Sequence, residues 1–312
     1  MMEAAIDIVS LGEPLYEFSQ IRGEDKKYLQ GFGGDTSNAA IAAARQGATV
    51  AYVTRLGDDK FGKQFLALWR HEGLDTAGVD IDREAHTGVY FIHYGAQGHV
   101  FSYLRAGSAA SRMRPEHLPL VLIRSAKFLL ASAISQAISA SACDAVFAAV
   151  DAARSSGVRF AYDSNLRLRL WPLRRAKAVI TATIPLADYF LPSLDDVKVL
   201  SGLEQPEAIV DWSHRLGARY VALKLGGDGA LASDGTRRER IPPHAVACVD
   251  ATGAGDCFAG SFLARLALGD EFWHAARYAN AAAALTTTGY GAVAPLPRPE
   301  AVRRLLQSQA QR

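Results

Sequence analysis

The sequence predicts an α/β fold in which helices cover a central, mostly parallel sheet and a small β lid is inserted. Three observations lead to this prediction. Short apolar runs alternate with alanine-rich helical segments through much of the chain, which is the order that gives a parallel sheet flanked by helices. Two segments, residues 15–31 and 87–104, carry strand patterns with no helix between them. The last third of the chain has a helical pattern.

The first elements follow from apolar runs and the residues that flank them. Residues 6–11 are a short apolar run that ends at a glycine, and they predict the first strand. Residues 37–46 are rich in alanine, follow capping residues and precede a glycine, and so predict a helix. A strand over 49–54 and a helix over about 60–72 come next. This alternation implies parallel strands.

The same alternation continues towards the C-terminus. Further strands are predicted at 127–130, 158–162, 188–191 and 220–225, with helices between them, one of which lies near 142–155. The last third supplies helices at 255–268, 271–286 and 300–307. These elements extend the parallel sheet and its helical cover.

The two strand-like segments that lack helices predict the lid. Their residues alternate and are separated by a glycine or by Gln97-Gly98, which is typical of β-hairpins. We interpret them as one lid, inserted at about 13–32 and 86–106 of a single domain that spans residues 1–312. The exposed edge of such a lid is a natural pairing surface.

The composition gives no sign of a nucleic-acid or membrane partner. With 34 basic and 32 acidic residues the net charge is +2, so any anion has to be held by a local site. The N-terminus lacks the basic start of a signal peptide, and the longest uncharged stretch, 278–297, is interrupted by glycines and prolines. Three cysteines without a CxxC pair suit a reduced compartment. We therefore expect a cytoplasmic protein.

The strongest motif is DATGAGD, residues 250–256, directly before a predicted helix. Glycines let the backbone approach a ligand, and a helix start offers unpaired N–H groups with the positive end of the dipole. These features predict an anion hole for phosphate. Asp256 should stay ionised there, because the dipole favours a carboxylate, and could accept a proton from an attacking hydroxyl. The alternative is a glycine-rich turn with an aspartate helix cap.

A second motif, GGDTSN at residues 33–38, precedes the first predicted helix. Its paired glycines leave backbone N–H groups facing a cleft. The side chains of Asp35 and Asn38 can hydrogen-bond the hydroxyls of a sugar. A turn with helix-capping residues is the alternative interpretation of this motif alone.

Together, the two motifs resemble the two signatures of the ribokinase-like (PfkB) carbohydrate kinase family. The first signature corresponds to residues 33–62 and the second to residues 250–262, and the resemblance extends over essentially the whole chain. It implies a ribokinase-like fold, with a central mostly parallel sheet and a β lid over the sugar. It also implies in-line phosphoryl transfer from ATP with Mg²⁺ to a small sugar-like molecule, and it suggests a homo-oligomer.

The resemblance also implies roles for individual residues. Asp256 would be the catalytic base, and Gly253, Ala254 and Gly255 would form the anion hole. The residues implied in ATP binding are Asn165, Ser193, Lys224, Gly226, Gly229, Gly253, Gly255 and Asn280. The family's NxxE motif, linked to magnesium through water, is here Ser193-Leu194-Asp195-Asp196, which makes Asp196 the indirect metal residue. Asp250 resembles part of the family's site for a monovalent cation such as K⁺.

The lid and the segments beside it bear on the identity of the sugar. Arg105 follows the second lid segment, and Arg167 follows a strand, at the edge where α/β folds bind ligands. A guanidinium matches the two oxygens of a carboxylate, and two arginines would be excessive for a neutral sugar. Residues 12–15, 103–111 and 163–171 resemble segments of 2-keto-3-deoxygluconate kinases. That resemblance implies phosphorylation of a terminal hydroxyl of a sugar acid contacted by Gly34, Tyr90, Tyr103, Arg105 and Arg167, with Asp35, Asn38 and Asp256 completing the site.

Several alternatives stay open or are set aside. A neutral-sugar kinase of the fructokinase or ribokinase type is the first alternative, because DxNxRxxLW also occurs in fructokinase-like relatives. Arg105 could instead contact an ATP phosphate or be a solvated lid residue. A non-catalytic sugar-binding regulator is a remote alternative, and Asp256 argues against it. Residues 57–63 fit most of a P-loop, but Gln64 replaces the hydroxyl residue that binds Mg²⁺.

Overall fold

The computed structural model describes residues 6–21, 23–95 and 98–310. Within these residues the strands, in chain order, are β1 Ile8–Leu11, β2 Leu15–Ile21, β3 Glu24–Gly33, β4 Val50–Gly57, β5 Val79–Asp82, β6 Val89–Gly95, β7 Gly98–Leu104, β8 Phe128–Ser132, β9 Arg159–Asp163, β10 Tyr189–Phe190, β11 Tyr220–Lys224, β12 Ala230–Ser233 and β13 Arg238–Ile241. The α-helices are α1 Asp35–Arg45, α2 Lys60–His71, α3 Leu120–Ser125, α4 Ala133–Ala137, α5 Ala140–Ser155, α6 Leu173–Thr183, α7 Leu194–Ser201, α8 Pro206–Arg215, α9 Ala254–Ala267, α10 Phe272–Thr286 and α11 Pro299–Ala310. None of the helices in this described part is long and apolar enough to cross a membrane.

Nine of the described strands form the main sheet, in the order β13-β12-β11-β10-β9-β8-β1-β4-β5. Neighbouring strands from β11 to β5 are parallel, and only β12 and β13 at one edge are antiparallel. The predicted α/β class with a mostly parallel sheet is therefore confirmed. The strand predicted over 188–191 is only two residues long. The segment after Lys224 is a tight turn that joins β11 to the antiparallel β12.

Helices pack on both faces of the main sheet, as expected for buried parallel strands. On β1, Ile8 faces a cluster that includes side chains of α1, α2, α9, α10 and α11. The next residue, Val9, faces a second cluster formed with α3 to α8. Tyr52 and Val53 of β4 divide in the same way. The period-two alternation of strand side chains thus supplies both layers of the core.

The lid is a second sheet of four described strands, in the order β3-β2-β6-β7. It consists of two antiparallel hairpins, which are joined by parallel pairing of β2 with β6. This arrangement confirms the predicted β lid, although Gln97 of the predicted turn lies outside the described residues. The Tyr16 ring packs against Phe18 and Phe32 of the lid and against Phe61 of α2, with centroid separations of 4.7–5.4 Å. These contacts hold the lid on the body.

Helices α1 and α9 pack closely because one of them carries a glycine at the contact. A Cβ added at Gly260 of α9 would lie 2.0 Å from the backbone oxygen of Ala39 in α1. Real side chains do not tolerate this separation, so a larger residue has to push the helices apart. The contact places the first turns of both helices at the same edge of the main sheet, where Asn38 of α1 and Asp256 of α9 meet.

We expect Gly260→Ala to lower the free energy of unfolding by about 2 kcal/mol, because overpacking a dense contact displaces backbone. Urea unfolding measures this change. Gly227→Ala is the matched control, since its Cβ would meet no atom within 4 Å and its effect should stay within about 0.5 kcal/mol. Equal stability of the two variants would contradict the role given to the α1–α9 contact.

Candidate active site

The predicted sugar and phosphate residues converge at the carboxyl edge of the parallel sheet. Asp163 is the last residue of β9, and Lys224 is the last residue of β11. Across the edge, the first turns of α1 and α9 bring Asp35 and Asp256 to the same small cavity, which Asp163 also lines. Open α/β sheets bind their ligands at this edge.

Asp256 is held between α1 and α9. It lies in the first turn of α9, which begins after Gly253, whose backbone is left-handed with φ of 76°. A Cβ at Gly253 would also lie 3.0 Å from Ala292, so both the angle and the space require glycine. The Asp256 carboxylate accepts a hydrogen bond from Asn38 Nδ2 at 2.9 Å. The base and the glycine turn around Gly255 are therefore one local unit.

The electrostatics of Asp256 differ from the prediction. Loss of water around the group raises its pKa to about 7, with a further rise from the negative charge of Asp35. The hydrogen bond from Asn38 opposes this rise. The expectation that the helix dipole keeps Asp256 ionised is therefore wrong, because desolvation and a neighbouring carboxylate outweigh the dipole. A pKa near neutral pH suits a general base.

Asp35 belongs to the same network of polar side chains. Its Oδ2 accepts a hydrogen bond from Asn165 Nδ2 at 2.9 Å, and the Asn165 backbone N–H donates to Asp163 Oδ1 at 3.2 Å. Burial raises the pKa of Asp35 above its ordinary value. Asp35 Oδ1 and Asn38 Oδ1 are buried without a hydrogen-bond partner. Since buried acceptors are normally paired, these two oxygens can receive hydroxyl donors from a ligand.

Lys224 lies against the start of α9. Its Nζ donates to Asp163 Oδ2 at 2.6 Å, and the two side chains are 12% and 8% exposed. A Cβ at Gly255 would lie 3.5 Å from the same Nζ, so the ammonium group lies beside the predicted anion hole. Asp163 was not assigned a role from the sequence. The available signal was its position directly after the predicted strand 158–162.

Asp196 lies in the first turn of α7, after the capping residue Ser193. Ser193 Oγ accepts from the Asp196 backbone N–H at 3.3 Å, and Asp196 Oδ2 accepts from Ser164 Oγ at 3.4 Å. Burial raises the pKa of Asp196. No group of three or more histidine, cysteine or acidic side chains that could hold a metal occurs among the described residues. Magnesium often uses only one or two carboxylates with water and phosphates, so the donor set fits an indirect role for Asp196.

Asp250 joins the two loops beside the start of α9. Its Oδ1 accepts from the backbone N–H and the hydroxyl of Thr252 at 2.9 and 2.6 Å. Its Oδ2 accepts from the Gly291 N–H at 2.9 Å. These three donors use most of the acceptor capacity of the carboxylate. Asp250 therefore orders the two loops beside the start of α9.

Three residues implied in ATP binding, Gly226, Gly229 and Asn280, form a second group near the turn that follows β11. Gly226 begins the turn after β11, and Gly229 ends it with φ of 87°. A Cβ at Gly229 would lie 2.1 Å from the backbone oxygen of Ile241. Asn280 of α10 donates through Nδ2 to the Pro242 oxygen at 2.9 Å. Gly229 and Asn280 thus flank the same segment after β13, apart from the network of Asp35.

The lid residue Tyr90 lies against the first glycine motif. The Tyr90 hydroxyl donates to Glu17 of β2, and its ring stacks on Tyr103 with centroids 5.9 Å apart. A Cβ at Gly33 would lie 2.7 Å from the Tyr90 hydroxyl oxygen. Burial raises the pKa of Tyr90, with contributions from the charges of Glu17 and of Asp256. Tyr90 is therefore close enough to the candidate base for the charge of Asp256 to raise the pKa of Tyr90.

Arg105 forms an ion pair with Glu13, a residue without a role predicted from the sequence. The Glu13 side chain is fully buried and the Arg105 side chain is 12% exposed. Ser108 Oγ donates to Glu13 Oε1 at 3.2 Å, and Arg105 Nε is buried without a partner. Arg105 is thus not a solvated lid residue, and Glu13 offsets its charge. The sequence placed Glu13 in residues 12–15 but gave no sign of its partner.

Arg167 differs from Arg105 because its charge is not offset. It is exposed, its Nη1 donates to the Leu166 oxygen at 2.9 Å, and it has no ion-pair partner in the described part of the chain. Burial raises the pKa of Asp35 and of Asp196, and the positive charge of Arg167 partly opposes the rise at both. Arg167 therefore lies within electrostatic range of both carboxyl groups.

Gly34 shapes the backbone between the lid and α1. It is the N-terminal capping residue of α1, with φ of 105°. A Cβ at this position would lie 2.4 Å from the backbone oxygen of Glu13. Only glycine combines this angle with this contact. Gly34 therefore links the Glu13–Arg105 pair to the helix that carries Asp35 and Asn38.

Known proteins resemble this chain over almost its full length. The family described as pfkB family carbohydrate kinase matches residues 4–299. A 2-dehydro-3-deoxygluconokinase from Thermoproteus tenax is 34% identical over 315 residues, covering 98% of this chain and 96% of the relative. A fructokinase-1 from Oryza sativa subsp. japonica is 33% identical over 317 residues, covering 96% of this chain and 98% of the relative.

A solved structure agrees with the fold. The crystal structure of a fructokinase with bound ATP from Xylella fastidiosa matches with a TM-score of 0.88 at 25% identity, covering 98% of this chain and 100% of that chain. The described sheet order and the lid are those of the predicted ribokinase-like fold. With its family match, this chain belongs to the PfkB family of carbohydrate kinases.

Proposed function

We propose that this carbohydrate kinase transfers a phosphoryl group from ATP to the terminal hydroxyl of a sugar acid. The substrate that we assign is 2-keto-3-deoxygluconate, and the product is 2-keto-3-deoxy-6-phosphogluconate. One observation carries the reaction type: Asp256 lies at the start of α9, is fixed by Asn38, and has a pKa of about 7. A carboxylate with that pKa beside an anion-binding helix start is suited to proton removal during phosphoryl transfer.

The reaction follows from the positions of these groups. Unpaired oxygens of Asp35 and Asn38 accept hydrogen bonds from sugar hydroxyls and orient the attacking oxygen. This oxygen forms a bond to the terminal phosphorus while the bond to the ADP oxygen breaks, and its proton passes to Asp256. Backbone N–H groups of the first turn of α9 and the Lys224 ammonium stabilise the charge on the transferred group.

ATP and Mg²⁺ are the proposed co-substrate and metal. The family membership supports ATP, and so does the fructokinase from Xylella fastidiosa, whose structure contains bound ATP. Gly226, Gly229 and Asn280 would line the nucleotide side of the cleft. Asp196 would hold Mg²⁺ through water, and the metal, when bound, neutralises charge on phosphate oxygens. We also propose K⁺ near the loops that Asp250 orders, with other oxygens supplying most of its ligands.

The side chains of Arg167 and Arg105 support a sugar acid as the substrate. Arg167 presents a guanidinium whose charge is not offset by an ion pair in the described residues, close to Asp35 and Asp196. Arg105 retains a buried, unpaired Nε although Glu13 binds its Nη2. Tyr90 and Tyr103 stack beside it and would cover the carbon chain of the sugar. The relative from Thermoproteus tenax, by its name, phosphorylates a sugar acid of this kind.

A neutral sugar such as fructose is the second candidate, and the Glu13–Arg105 pair favours it. A fully buried carboxylate that neutralises Arg105 removes one of the two charges expected to attract a substrate carboxylate. The rice fructokinase is almost as similar to the chain as the sugar-acid kinase is. The two candidates share Asp256 and differ in what Arg105 and Arg167 contact.

We expect ADP release from ATP and Mg²⁺ with 2-keto-3-deoxygluconate, and much less with gluconate, fructose, ribose, adenosine or no sugar. Asp256→Asn should lower kcat by about 10²- to 10⁴-fold, because the general base is lost. Asp151→Asn, an exposed change on α5, is the control and should keep full activity. Fructose or ribose turnover would overturn the sugar-acid assignment but keep the base. Sugar binding without any turnover would favour a regulator.

The raised pKa of Asp256 predicts opposite effects of pH on activity and on stability. Activity requires the ionised form, so kcat/KM should fall about tenfold per pH unit below pH 7. The folded pKa of about 7 exceeds the ordinary value of 3.8. Ionisation therefore costs stability as pH rises from about 4 to 7, and the cost persists above pH 7.

Asp256→Asn removes that cost, so its Tm should exceed that of the native protein at pH 8, with a much smaller difference at pH 4.5. Thermal unfolding at the two pH values measures this. A constant difference in Tm across this range would show that Asp256 titrates with an ordinary pKa.

Three variants test the roles of Arg105 and Arg167 separately. Arg167→Gln should raise KM for the sugar acid about tenfold or more, because it removes a charge-assisted hydrogen bond. Arg105→Gln leaves Glu13 buried and unpaired, which costs about 3–5 kcal/mol of stability. Glu13→Gln with Arg105→Gln removes both charges and should regain much of that stability. If this double variant keeps the native KM for the sugar acid, Arg105 serves the lid and not the substrate.

A further inference from the structure

We propose that a second anion site, specific for small phosphate-bearing molecules, lies in a groove at the base of the lid hairpin β6–β7. The groove has a volume of about 590 Å³ and shares no lining residue with the candidate catalytic cavity. Arg55, Arg83, Arg112 and Arg114 line it together with Asp82 and Glu84. We call it the hinge groove. Volumes of this size are typical of sites for small molecules.

The walls of the hinge groove include the two connections of the lid hairpin to the body. Arg83 and Glu84 lie between β5 and β6, and Arg112 and Arg114 follow β7. A hydrogen bond from the Ala109 N–H to the His86 oxygen, at 2.8 Å, joins these connections directly. A ligand in the groove therefore contacts the chain both before and after the hairpin.

Of these four arginines, only Arg55 forms close ion pairs with carboxylates among the described residues. Arg55 is 12% exposed and pairs with Asp80 at 2.7 Å and with Asp82 at 3.1 Å. Arg112 reaches Asp82 only at 3.9 Å. Four guanidinium groups and two carboxylates line the groove, and the carboxylates of Asp80 and Glu116, which pair with Arg55 and Arg114, lie outside the lining.

Arg114 and Arg83 have weaker ion-pair contacts than Arg55. Arg114 meets Glu116 at 3.8 Å with both side chains 63% exposed. Such exposed pairs contribute little to stability. Arg83 is exposed and has no ion-pair partner among the described residues. Together with Arg112, these side chains have donors available to a ligand.

Phosphate is the anion that this lining suits. Guanidinium groups bind phosphate oxygens through two parallel hydrogen bonds, and several of them can surround one group of high charge. Ser141, in the first turn of α5, also lines the groove, so the positive end of a sixteen-residue helix faces it. A lining of charged and polar groups selects a small, highly charged ligand over an apolar one.

Binding in the hinge groove would act on the lid. An anion that contacts Arg83 and Arg112 together would bridge the two connections and restrict their relative movement. The hairpin carries Tyr90, which lies close enough to the candidate sugar cavity for the charge of Asp256 to act on it. The site would thus let a phosphorylated metabolite adjust lid movement without competing for the catalytic cleft, whichever sugar the enzyme phosphorylates.

The test is calorimetric titration of inorganic pyrophosphate into the full chain saturated with Mg²⁺ and a non-hydrolysable ATP analogue. The analogue fills the nucleotide site, so the heat that remains after subtraction of a titration of pyrophosphate into Mg²⁺ and analogue without protein reports a separate site. We expect one pyrophosphate per chain and at least about tenfold weaker binding in Arg83→Gln with Arg112→Gln, because two charge-assisted contacts are lost. Arg303→Gln with Arg304→Gln, exposed on α11, is the matched control and should bind as the native protein does.

Two further measurements complete the test. Inorganic phosphate and a hexose 6-phosphate, titrated in the same way, show whether the free ion or a phosphate ester is the preferred source. In hydrogen exchange, pyrophosphate should slow residues 83–88 and 105–114 by about threefold or more in the native protein, and not in the arginine variant. Absence of binding once the nucleotide site is filled, or equal binding in the arginine variant, would overturn the proposal.

Discussion

The position of the catalytic groups depends on how closely helices α1 and α9 approach each other. Gly260 offers no side chain where the Ala39 oxygen lies, and the axes can come together only for that reason. The approach aligns two helix starts that are more than two hundred residues apart in the chain, so that Asn38 reaches Asp256. Without this packing, neither glycine-rich motif would form the site, because Asn38 comes from the first motif and Asp256 from the second.

The site crowds carboxylates that would repel one another in water, and the fold stabilises them in different ways. Asp163 forms an ion pair with Lys224, with 2.6 Å between Lys224 Nζ and Asp163 Oδ2. Neither Asp35 nor Asp256 has an ion-pair partner among the described residues. Desolvation raises the pKa of both, with a further rise at Asp256 from the charge of Asp35 and at Asp35 from the charge of Asp163. The fold thus places one carboxylate in an ion pair beside the predicted phosphate path and leaves another, Asp256, with a pKa of about 7.

Much of the fold could be predicted from the sequence, because strand and helix periods are local properties. The helices at 255–268 and 271–286, for example, agree closely with α9 and α10. The roles that the sequence missed depend on partners distant in the chain. The sequence around Glu13 contains no pattern that predicts its ion pair with Arg105, which lies ninety-two residues later. The error about the charge of Asp256 has the same origin, since the dipole is local but the proximity of Asp35 is not.

The parallel pairing in the lid has a consequence for how the chain folds. Each lid hairpin can form on its own, but Tyr16 of β2 pairs with Val89 of β6 across the whole α1–β5 segment. Closing so long a loop costs conformational entropy, which is repaid only once the intervening helices and strands have docked. The lid sheet should therefore be among the last parts to assemble. A partly folded chain would hence lack a covered sugar site, and early intermediates would be inactive towards sugars.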